Sequence, residues 1–297
     1  MSNRTIAILS PGDMGHRIGR ALGEHGHDLI TCLAGRSERT RGLAEKGGFD
    51  DAEDLETVTR RADLILSIIP PSDGPAMAET VAAAMERSGH RPPYADCNAL
   101  APATARRIAS IIEAAGAPFI DASICSLAPS PGDLPRIYAS GTDTSPLEAL
   151  DGHGIAVKPL GSEVGRASSG IKMCYGGLTK GIATLHTAVL LAAEAMGLSD
   201  ELRDELMYSQ KDTYAAMQYK IPRLPADSAR WIGEMEEGAA SFTAVGVTPN
   251  FHRGAVDIYA LLSQTPLALE TRETIDSNRT LEESVRVFAS HRPRPGS

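Results

Sequence analysis

A short apolar run, a glycine-containing turn and a helical pattern follow one another at the start of the chain, and they constrain the fold most. Residues 5–10 predict a strand and residues 15–25 a helix, with Pro11-Gly12-Asp13-Met14-Gly15 between them. The segment approximates G-x-G-x-x-G, with Ser10 in the place of the first glycine. Gly12 would let the backbone approach a pyrophosphate, and Gly15 would let the helix pack closely on the strand.

Pro11, Gly12, Asp13, Met14 and Gly15 are therefore predicted to bind a dinucleotide. The N-terminus of the helix that follows would offer free N–H groups and a positive dipole end to the phosphates. The carboxylate of Asp13 is unexpected beside a pyrophosphate. The alternative is a plain glycine turn that joins a strand to a helix and binds nothing.

Strand and helix patterns continue to alternate through the first 160 residues. Further strands are predicted at 28–33, 62–69, 94–97, 119–124, 136–139 and 154–157. The helices predicted between them are at 37–46, 75–87 and 102–115. This alternation is typical of an α/β domain with a doubly wound, mostly parallel sheet.

After Leu160 the pattern becomes helical throughout. One long helix is predicted over 165–196 and is ended by Gly197, and shorter helices follow at 200–218, 226–245 and 251–262. We therefore expect a dinucleotide-binding domain at 1–162 and an all-α substrate and dimerisation domain at 163–297, joined by the long helix. That helix should leave apolar surface that a second subunit would bury.

Composition excludes several classes of function. The formal net charge is −9, which argues against a nucleic-acid-binding surface. The four cysteines lie far apart without a Cys/His cluster, so we expect no metal site and a reduced, cytoplasmic protein. No secretion signal is recognisable, and no apolar run reaches the roughly 18–20 residues of a membrane span, so no membrane partner is expected.

The end of the second predicted strand indicates which nucleotide binds. An NAD site places an Asp or Glu there to bond the ribose 2′-OH, but this strand ends Thr31-Cys32-Leu33. Arg36 and Ser37 follow, and a guanidinium with a hydroxyl suits a 2′-phosphate. NADP is therefore favoured over NAD. The alternative is that Arg36 and Arg39 are solvated residues in the first turn of a helix.

Five segments together resemble the β-hydroxyacid dehydrogenase family, which includes 3-hydroxyisobutyrate and 6-phosphogluconate dehydrogenases. The segments are the 11–15 turn, Ser67-Ile68-Ile69-Pro70, Asp96-Cys97-Asn98-Ala99 with Pro102, Asp121-Ala122-Ser123, and the run 165–172 that opens the long helix. The resemblance implies a Rossmann domain, a helical C-terminal domain and usually dimers. The C-terminal half is similar to a poorly characterised bacterial branch.

The resemblance also assigns candidate residues. It implies that Lys172 is the catalytic lysine, that Asn98 lies on the nicotinamide side and that Pro70 ends the strand beside the cofactor ribose. An ammonium can donate the proton that a reduced carbonyl needs and stabilise the developing alkoxide. The alternative for Lys172 is an ordinary lysine of an amphipathic helix.

The chain departs from the family pattern at two places. The family has Asn one turn after the lysine, where this chain has Gly176, so Tyr175 is a candidate substrate contact. The family loop Asp-Ala-Pro-Val-Ser-Gly-Gly reads 121–127 DASICSL here. Ser123 and Cys125 are thus candidate substrate contacts, although Cys125 could equally be a small filler. A simple 3-hydroxy acid is in doubt as substrate.

An acidic cluster at 233–237 could suggest metal ligands, because Glu234 and Glu237 share a helix face. No His or Asp partners them, so a solvated or interdomain face is the preferred interpretation. The expected function is an NADPH-dependent oxidoreductase that interconverts a small hydroxy compound, of the hydroxy acid type, and its aldehyde or ketone. The rivals are an imine reductase on the same fold and a non-catalytic NADP-binding protein.

Overall fold

The computed structural model describes residues 3–126 and 133–293. The chain divides into two compact units, Met1–Tyr175 and Gly176–Ser297. The division falls inside the long helix, whereas the change of sequence pattern at Leu160 precedes that helix. Each unit is described by itself below.

The first unit is built on one eight-stranded sheet of order β3-β2-β1-β4-β5-β6-β7-β8. Its strands are β1 (Thr5–Leu9), β2 (Asp28–Thr31), β3 (Asp50–Asp51), β4 (Leu64–Ser67), β5 (Tyr94–Asp96), β6 (Phe119–Ser126), β7 (Arg136–Ser140) and β8 (Ala156–Pro159). Neighbours run parallel except β6 and β7, which are antiparallel. The predicted doubly wound Rossmann-type sheet is therefore confirmed.

Helices cover both faces of this sheet. The evidence is that successive residues of a strand, which point to opposite faces, are buried in two different apolar clusters. Ile6 and Ile8 of β1 belong to one apolar cluster, whereas Ala7 and Leu9 belong to the other. All four are buried, which explains why the strand sequence is continuously apolar rather than alternating. The helices of the unit are α1 (Gly15–Gly23), α2 (Glu38–Gly47), α3 (Leu55–Arg61), α4 (Gly74–Ser88), α5 (Pro102–Ala114) and α6 (Ser145–Glu148).

Two elements between residues 48 and 62 have no counterpart in the sequence prediction. The edge strand β3 consists of Asp50 and Asp51, residues that disfavour strands, and it pairs with β2. Helix α3 begins at Asp54, whose side chain accepts a hydrogen bond from Thr57 N at 2.7 Å. Such a cap is a recognisable signal for the start of a helix. The apolar pattern that follows it is too short for the helix to be predicted from the sequence.

The second unit is helical throughout its described part. A π-helical turn, Arg166–Ile171, leads into α7 (Lys172–Met196), which passes from the first unit into the second. The helices that follow are α8 (Ser199–Ser209), α9 (Lys211–Lys220), α10 (Pro225–Ala244), α11 (Asn250–Ser263) and α12 (Leu281–Ser290). The predicted helix at 200–218 is in fact two helices that meet at Gln210, where ψ is 46°.

The core of the second unit forms where α9, α10, α11 and α12 meet. Tyr259 and Phe288 are its largest fully buried side chains. His252 packs against Phe242 and between two glycines, since a Cβ on Gly238 would lie 2.5 Å from the imidazole. Among the described residues, no helix combines the length and apolarity needed to cross a membrane.

Candidate active site

The turn after β1 has the backbone geometry of a dinucleotide-binding turn. Ser10 has a φ of 56°, the left-handed region that glycine adopts most easily, and it stands in the first glycine's place. A Cβ on Gly15 would lie 3.2 Å from Ile8 Cγ2, so glycine allows the close packing of helix on strand. A Cβ on Gly12 would meet nothing nearer than 3.9 Å, which leaves its outer side open to a ligand.

The structure accounts for the acidic residue in this turn. Asp13 Oδ1 pairs with Arg39 Nη2 at 2.6 Å, so a guanidinium balances its charge. Arg39, which the alternative interpretation takes as a solvated residue, has a side chain that is 39% exposed and links the turn to the first turn of α2. Met14, which precedes α1, makes no side-chain cap, so the N-terminal N–H groups of α1 are not blocked by a side chain.

The loop after β2 contains the residues that were predicted to select the nucleotide. Thr31 is buried and donates to Ile8 O at 2.7 Å, so the end of this strand presents no acid to a ribose. Asp51 lies on the neighbouring strand, and its carboxylate accepts from Leu33 N at 3.0 Å. Arg36 is half-buried in the loop. The Ser37 hydroxyl caps α2 by accepting from Thr40 N, a structural role that the sequence prediction missed.

At the carboxyl ends of β4 and β5, Asn98 ties the two strands together. Its Oδ1 accepts from Ile69 N at 2.8 Å, and its Nδ2 donates to Ser67 Oγ at 3.2 Å. Asn98 is buried, and these bonds fix the backbone that leads into Pro70. The side chain therefore shapes the strand ends, which was not anticipated from the sequence.

Asp121 of β6 anchors the start of the long helix. Its carboxylate is fully buried and accepts from Gly165 N at 2.8 Å, Ala167 N at 3.0 Å and Ser168 N at 3.3 Å. Ser140 Oγ donates to the same carboxylate at 2.7 Å. A carboxylate at the N-terminus of a helix is stabilised by the unpaired N–H groups and by the dipole. Asp121 thus positions the helical turn that precedes Lys172.

Lys172 is held over the same strand. Its Nζ donates to Ile124 O at 2.5 Å, three residues along β6 from Asp121, and the side chain is half-buried. The π-helical turn just before it is a feature that often occurs at functional sites. Because β1, β4, β5 and β6 are parallel neighbours, their carboxyl ends share one edge of the sheet. Lys172 and the glycine turn both lie at the carboxyl ends of these strands.

The three candidate substrate contacts differ in exposure. Ser123 is fully buried, and its Oγ lies 3.8 Å from the half-buried Cys125 Sγ. A register shift between β6 and β7 occurs at this point, between Ile124 and Ser126. Tyr175 is exposed and lies one helical turn after Lys172. Leu127, which completes the family's loop, lies outside the described residues.

Two buried groups at the end of β5, Asp96 and Cys97, have shifted pKa values. Burial raises the pKa of Asp96 to about 7, and the nearby carboxylate of Asp121 adds to the shift. Oδ1 of Asp96 accepts a hydrogen bond from Asn98 N at 3.0 Å, while Oδ2 of Asp96 has no hydrogen-bond partner within the described ranges. Burial also raises the pKa of the Cys97 thiol, with the two acids opposing ionisation and Lys172 favouring it. The site therefore holds its thiol neutral.

The acidic cluster in the second unit takes part in ion pairs. In the part of the chain that the structure describes, no three His, Cys, Asp or Glu residues are grouped so as to hold a metal. The prediction of a solvated or interdomain face is wrong for Glu234. This side chain is buried within the second unit, and its carboxylate pairs with Lys180 Nζ at 2.6 Å. Arg230 also reaches Glu234, at 3.3 Å. These contacts indicate a structural ion-pair network.

Two family models match the chain. Residues 5–126 match the NAD-binding domain of 6-phosphogluconate dehydrogenase, and residues 193–262 match a domain of unknown function, DUF1932. An uncharacterised 28.5 kDa protein of Methanothermus fervidus is 28% identical over 182 residues, which cover 60% of this chain and 67% of that protein.

Solved structures extend the similarity over nearly the whole chain. A conserved protein of unknown function, which has structural similarity with 3-hydroxyacid dehydrogenases, is 26% identical with a TM-score of 0.61, over 87% of this chain and 96% of that one. The 3-hydroxyisobutyrate dehydrogenase of Mycobacterium tuberculosis is 18% identical with a TM-score of 0.64, over 98% and 100% of the two chains. The resemblance predicted from the sequence is thus confirmed: residues 5–126 match the NAD-binding domain of 6-phosphogluconate dehydrogenase, and the fold is similar to that of 3-hydroxyisobutyrate dehydrogenases.

Proposed function

We propose that this protein is an NADPH-dependent oxidoreductase that interconverts a small hydroxy compound, of the hydroxy acid type, and its aldehyde or ketone. The observation that carries the proposal is the position of Lys172. Its ammonium is held at the end of β6 by Ile124 O, at the carboxyl ends of the strands that also bear the glycine turn. Ligands of open α/β sheets bind outside the carboxyl ends of the strands.

The residues after β1 fit a dinucleotide. Gly12 has space for a pyrophosphate on its outer side, and α1 begins without a side-chain cap. Pro11, Met14 and Gly15 complete the turn, while Arg39 neutralises Asp13. When bound, the nicotinamide supplies or accepts a hydride.

NADP is the proposed nucleotide rather than NAD. The end of β2 carries the buried Thr31 in place of an acid that could bond a ribose 2′-OH. The carboxylate of Asp51, on the neighbouring strand, already accepts from Leu33 N. Arg36 in the following loop can form charge-assisted bonds to a 2′-phosphate. Ser37 contributes by its position at the N-terminus of α2, since its hydroxyl is already used as the cap.

Lys172 is proposed as the general acid and base. In the reducing direction its Nζ gives a proton to the carbonyl oxygen, and in the oxidising direction it removes the hydroxyl proton. Asp121 fixes the helix start that carries this lysine, and Tyr175 and Cys125 provide candidate contacts to the rest of the substrate. The same chemistry is consistent with a cytoplasmic enzyme whose four cysteines form no disulfide bond.

The nucleotide part is tested by thermal melting with NADPH, NADH or neither. A ligand that binds only the folded state at 100 times its Kd stabilises it by about 2.7 kcal/mol. We expect a shift with NADPH and a much smaller one with NADH. Arg36→Ala should raise the Kd of NADPH by about 10-fold or more and leave NADH binding unchanged. Equal shifts with both nucleotides would overturn the assignment of Arg36.

The catalytic part is tested by NADPH-dependent reduction of a panel of small aldehydes and ketones. Lys172→Ala should lower kcat by about 10²- to 10⁴-fold, the usual contribution of a positioned acid or base. Lys158→Ala, at an exposed position of β8, is the matched control and should leave kcat unchanged. Turnover of cyclic imines but not of carbonyls would favour an imine reductase. NADPH binding with no turnover of either class would favour a non-catalytic NADP-binding protein.

A further inference from the structure

A row of polar side chains crosses four neighbouring strands of the first unit. The strand register places Ser67 beside Asp96, Asp96 beside Asp121, and Asp121 beside Ser140. All four side chains are fully buried. Residues that pair across neighbouring strands point to the same face of a sheet, and the strands lie about 4.8 Å apart. The carboxyl groups of Asp96 and Asp121 are therefore neighbours in a buried site.

The two carboxyl groups differ in the hydrogen-bond donors that reach them. The carboxylate of Asp121 accepts from backbone N–H groups of the helical turn and from Ser140 Oγ. For Asp96, Oδ1 accepts from Asn98 N, and Oδ2 has no hydrogen-bond partner within the described residues. A buried carboxyl group ionises only where donors or cations compensate its charge. The negative charge therefore resides on Asp121, and the proton resides on Asp96.

The surroundings of Asp96 oppose a second negative charge at this place. The charge that acts on Asp96 is that of Asp121. The polar and titratable groups that face the pair from the neighbouring strands are Ser67 of β4, Tyr94 and Cys97 of β5, and Ser140 of β7. Helices α4 and α5 cover this face of the sheet with apolar residues. Of the two cations at the start of the long helix, Arg166 is exposed and Lys172 acts on Cys97.

We propose that Asp96 and Asp121 form a carboxyl pair that holds one proton, and that loss of this proton to solvent loosens the helical turn that positions Lys172. Two neighbouring carboxyl groups in a buried site repel each other when both are ionised, so their titrations are coupled.

The hydrogen bonds of Asp121 explain how the pair acts on the helical turn. While Asp96 is neutral, the charge of Asp121 is directed at the N–H groups of Gly165, Ala167 and Ser168. A second charge on Asp96 repels the first and draws water towards the site, which weakens these bonds. The raised pKa of Asp96 agrees with this, since burial and the charge of Asp121 both oppose its ionisation. Asp96 is thus a positioning residue that acts through Asp121.

Infrared spectroscopy of the full-length protein tests whether the pair holds a proton. A protonated carboxyl group has a C=O stretching band that a carboxylate lacks, and the wild type should lose this band as the pH rises through about 7. Asp96→Asn should lack the band at pH 6. In Asp121→Asn the like charge is absent, so the band should disappear at a pH about half a unit lower or more. A band that disappears at the wild-type pH in Asp121→Asn would show that burial alone holds the proton, which would overturn the pair.

Amide hydrogen exchange tests the effect on the helical turn and requires no enzymatic turnover. After correction for the intrinsic pH dependence of exchange, protection of residues 165–168 in the wild type should fall about 10-fold between pH 6 and pH 9, equivalent to one pKa unit of coupling. Asp96→Asn has no proton to lose and should keep its protection. Asp63→Asn is the matched control, because it removes a carboxylate at the amino end of β4, and it should behave like the wild type. Equal pH dependence in the wild type and Asp96→Asn would overturn the proposal.

The pH profile of kcat tests the link to Lys172, and this part rests on the proposed function. At saturating NADPH, the wild type and Asp63→Asn should show a fall in kcat near pH 7 that Asp96→Asn lacks. A profile that Asp96→Asn leaves unchanged would overturn the positioning of Lys172 by the pair. If the protein reduces no carbonyl compound, the proposed function fails, whereas the infrared and exchange measurements still decide whether the carboxyl pair exists.

Discussion

Each unit of the molecule buries an acidic side chain, and the two units compensate that charge in different ways. Asp121 of the first unit is surrounded by backbone N–H groups of Gly165, Ala167 and Ser168 at the start of a helix. Glu234 of the second unit is compensated by the cationic side chains of Lys180 and Arg230. Backbone donors are set by the fold, whereas side-chain cations depend on single residues. The first arrangement is therefore suited to holding a site in place, and the second is more sensitive to substitution.

The same contrast applies to the two lysines at the start of α7. Lys172 donates to a backbone carbonyl of β6 and is half-buried, at the proposed site of chemistry. Lys180 lies two turns later with a side chain that is only 14% exposed and is paired with Glu234, whose side chain is 9% exposed. Lys180 also lies 5.6 Å from the centre of the Trp231 ring. The first lysine lies at the proposed site of chemistry, whereas the second forms a buried ion pair within the second unit.

The largest expected effect on stability separates these lysines. Lys180→Met removes the ammonium that pairs with the buried Glu234 at 2.6 Å, and breaking a buried pair costs about 3 kcal/mol or more. Lys172→Met removes a hydrogen bond to a backbone carbonyl at a half-buried position and should cost about 1 kcal/mol or less. Urea unfolding followed by circular dichroism measures both. An equal loss of unfolding free energy for the two variants would contradict the distinction.

An intermediate effect is expected for the carboxylate that anchors the long helix. Asp121→Asn replaces charge-assisted hydrogen bonds by neutral ones and should lower the free energy of unfolding by about 2 kcal/mol. If Asp121 also positions Lys172, kcat should fall by about 10-fold while the Kd of NADPH stays unchanged. Ser140→Ala removes one donor to the same carboxylate and is the milder control. Loss of stability with an unchanged kcat would restrict Asp121 to a structural role.

The smallest effects concern pH, and they have opposite signs in the two units. Burial raises the pKa of Asp96 in the folded protein to about 7, above its ordinary 3.8. The free energy of unfolding therefore falls as the pH rises from 3.8 to about 7, because the buried carboxyl opposes ionisation. His252 has a folded pKa below its ordinary 6.5, because burial opposes its charge. Its contribution is therefore present above pH 6.5 and is lost as pH falls below that value.

Urea midpoints at pH 5 and pH 8 distinguish these two groups. The stability gained by Asp96→Asn relative to the wild type should be larger at pH 8 than at pH 5, by on the order of 1–2 kcal/mol, because most of the window between 3.8 and about 7 lies above pH 5. His252→Phe should show the reverse, a relative gain at pH 5, since Phe cannot take up a proton. Parallel pH profiles for the wild type and both variants would mean that neither group links protonation to folding.

Much of the fold could be predicted because its signals are local. The buried strands β1 and β4 are continuous apolar runs, and the long helix ends at Gly197, whose φ is 70°. The break at Gln210 carries neither Gly nor Pro, so the sequence pattern continued through it. Strand β3 could not be found either, because two aspartates form a strand only when β2 supplies the pairing partner.

The site could be predicted in part for the same reason. The glycine turn and Lys172 are recognisable in short motifs, whereas the backbone N–H groups that bond Asp121 lie 44 to 47 residues away in the sequence. The pairing of Asp13 with Arg39 and the burial of Glu234 likewise depend on distant residues. No local pattern reports which of several polar residues will meet.

By itself, the sequence determined the alternation of strands and helices, the dinucleotide-binding turn after β1 and one long apolar helix. Hydrophobic periodicity and backbone preferences act over a few residues, so the sequence expresses them directly. Only the tertiary structure decided that Asp121 bonds the start of that helix, that Lys172 donates to a carbonyl of β6 and that Lys180 pairs with Glu234. Charges and hydrogen bonds act over a few ångströms, and the fold alone brings distant residues that close.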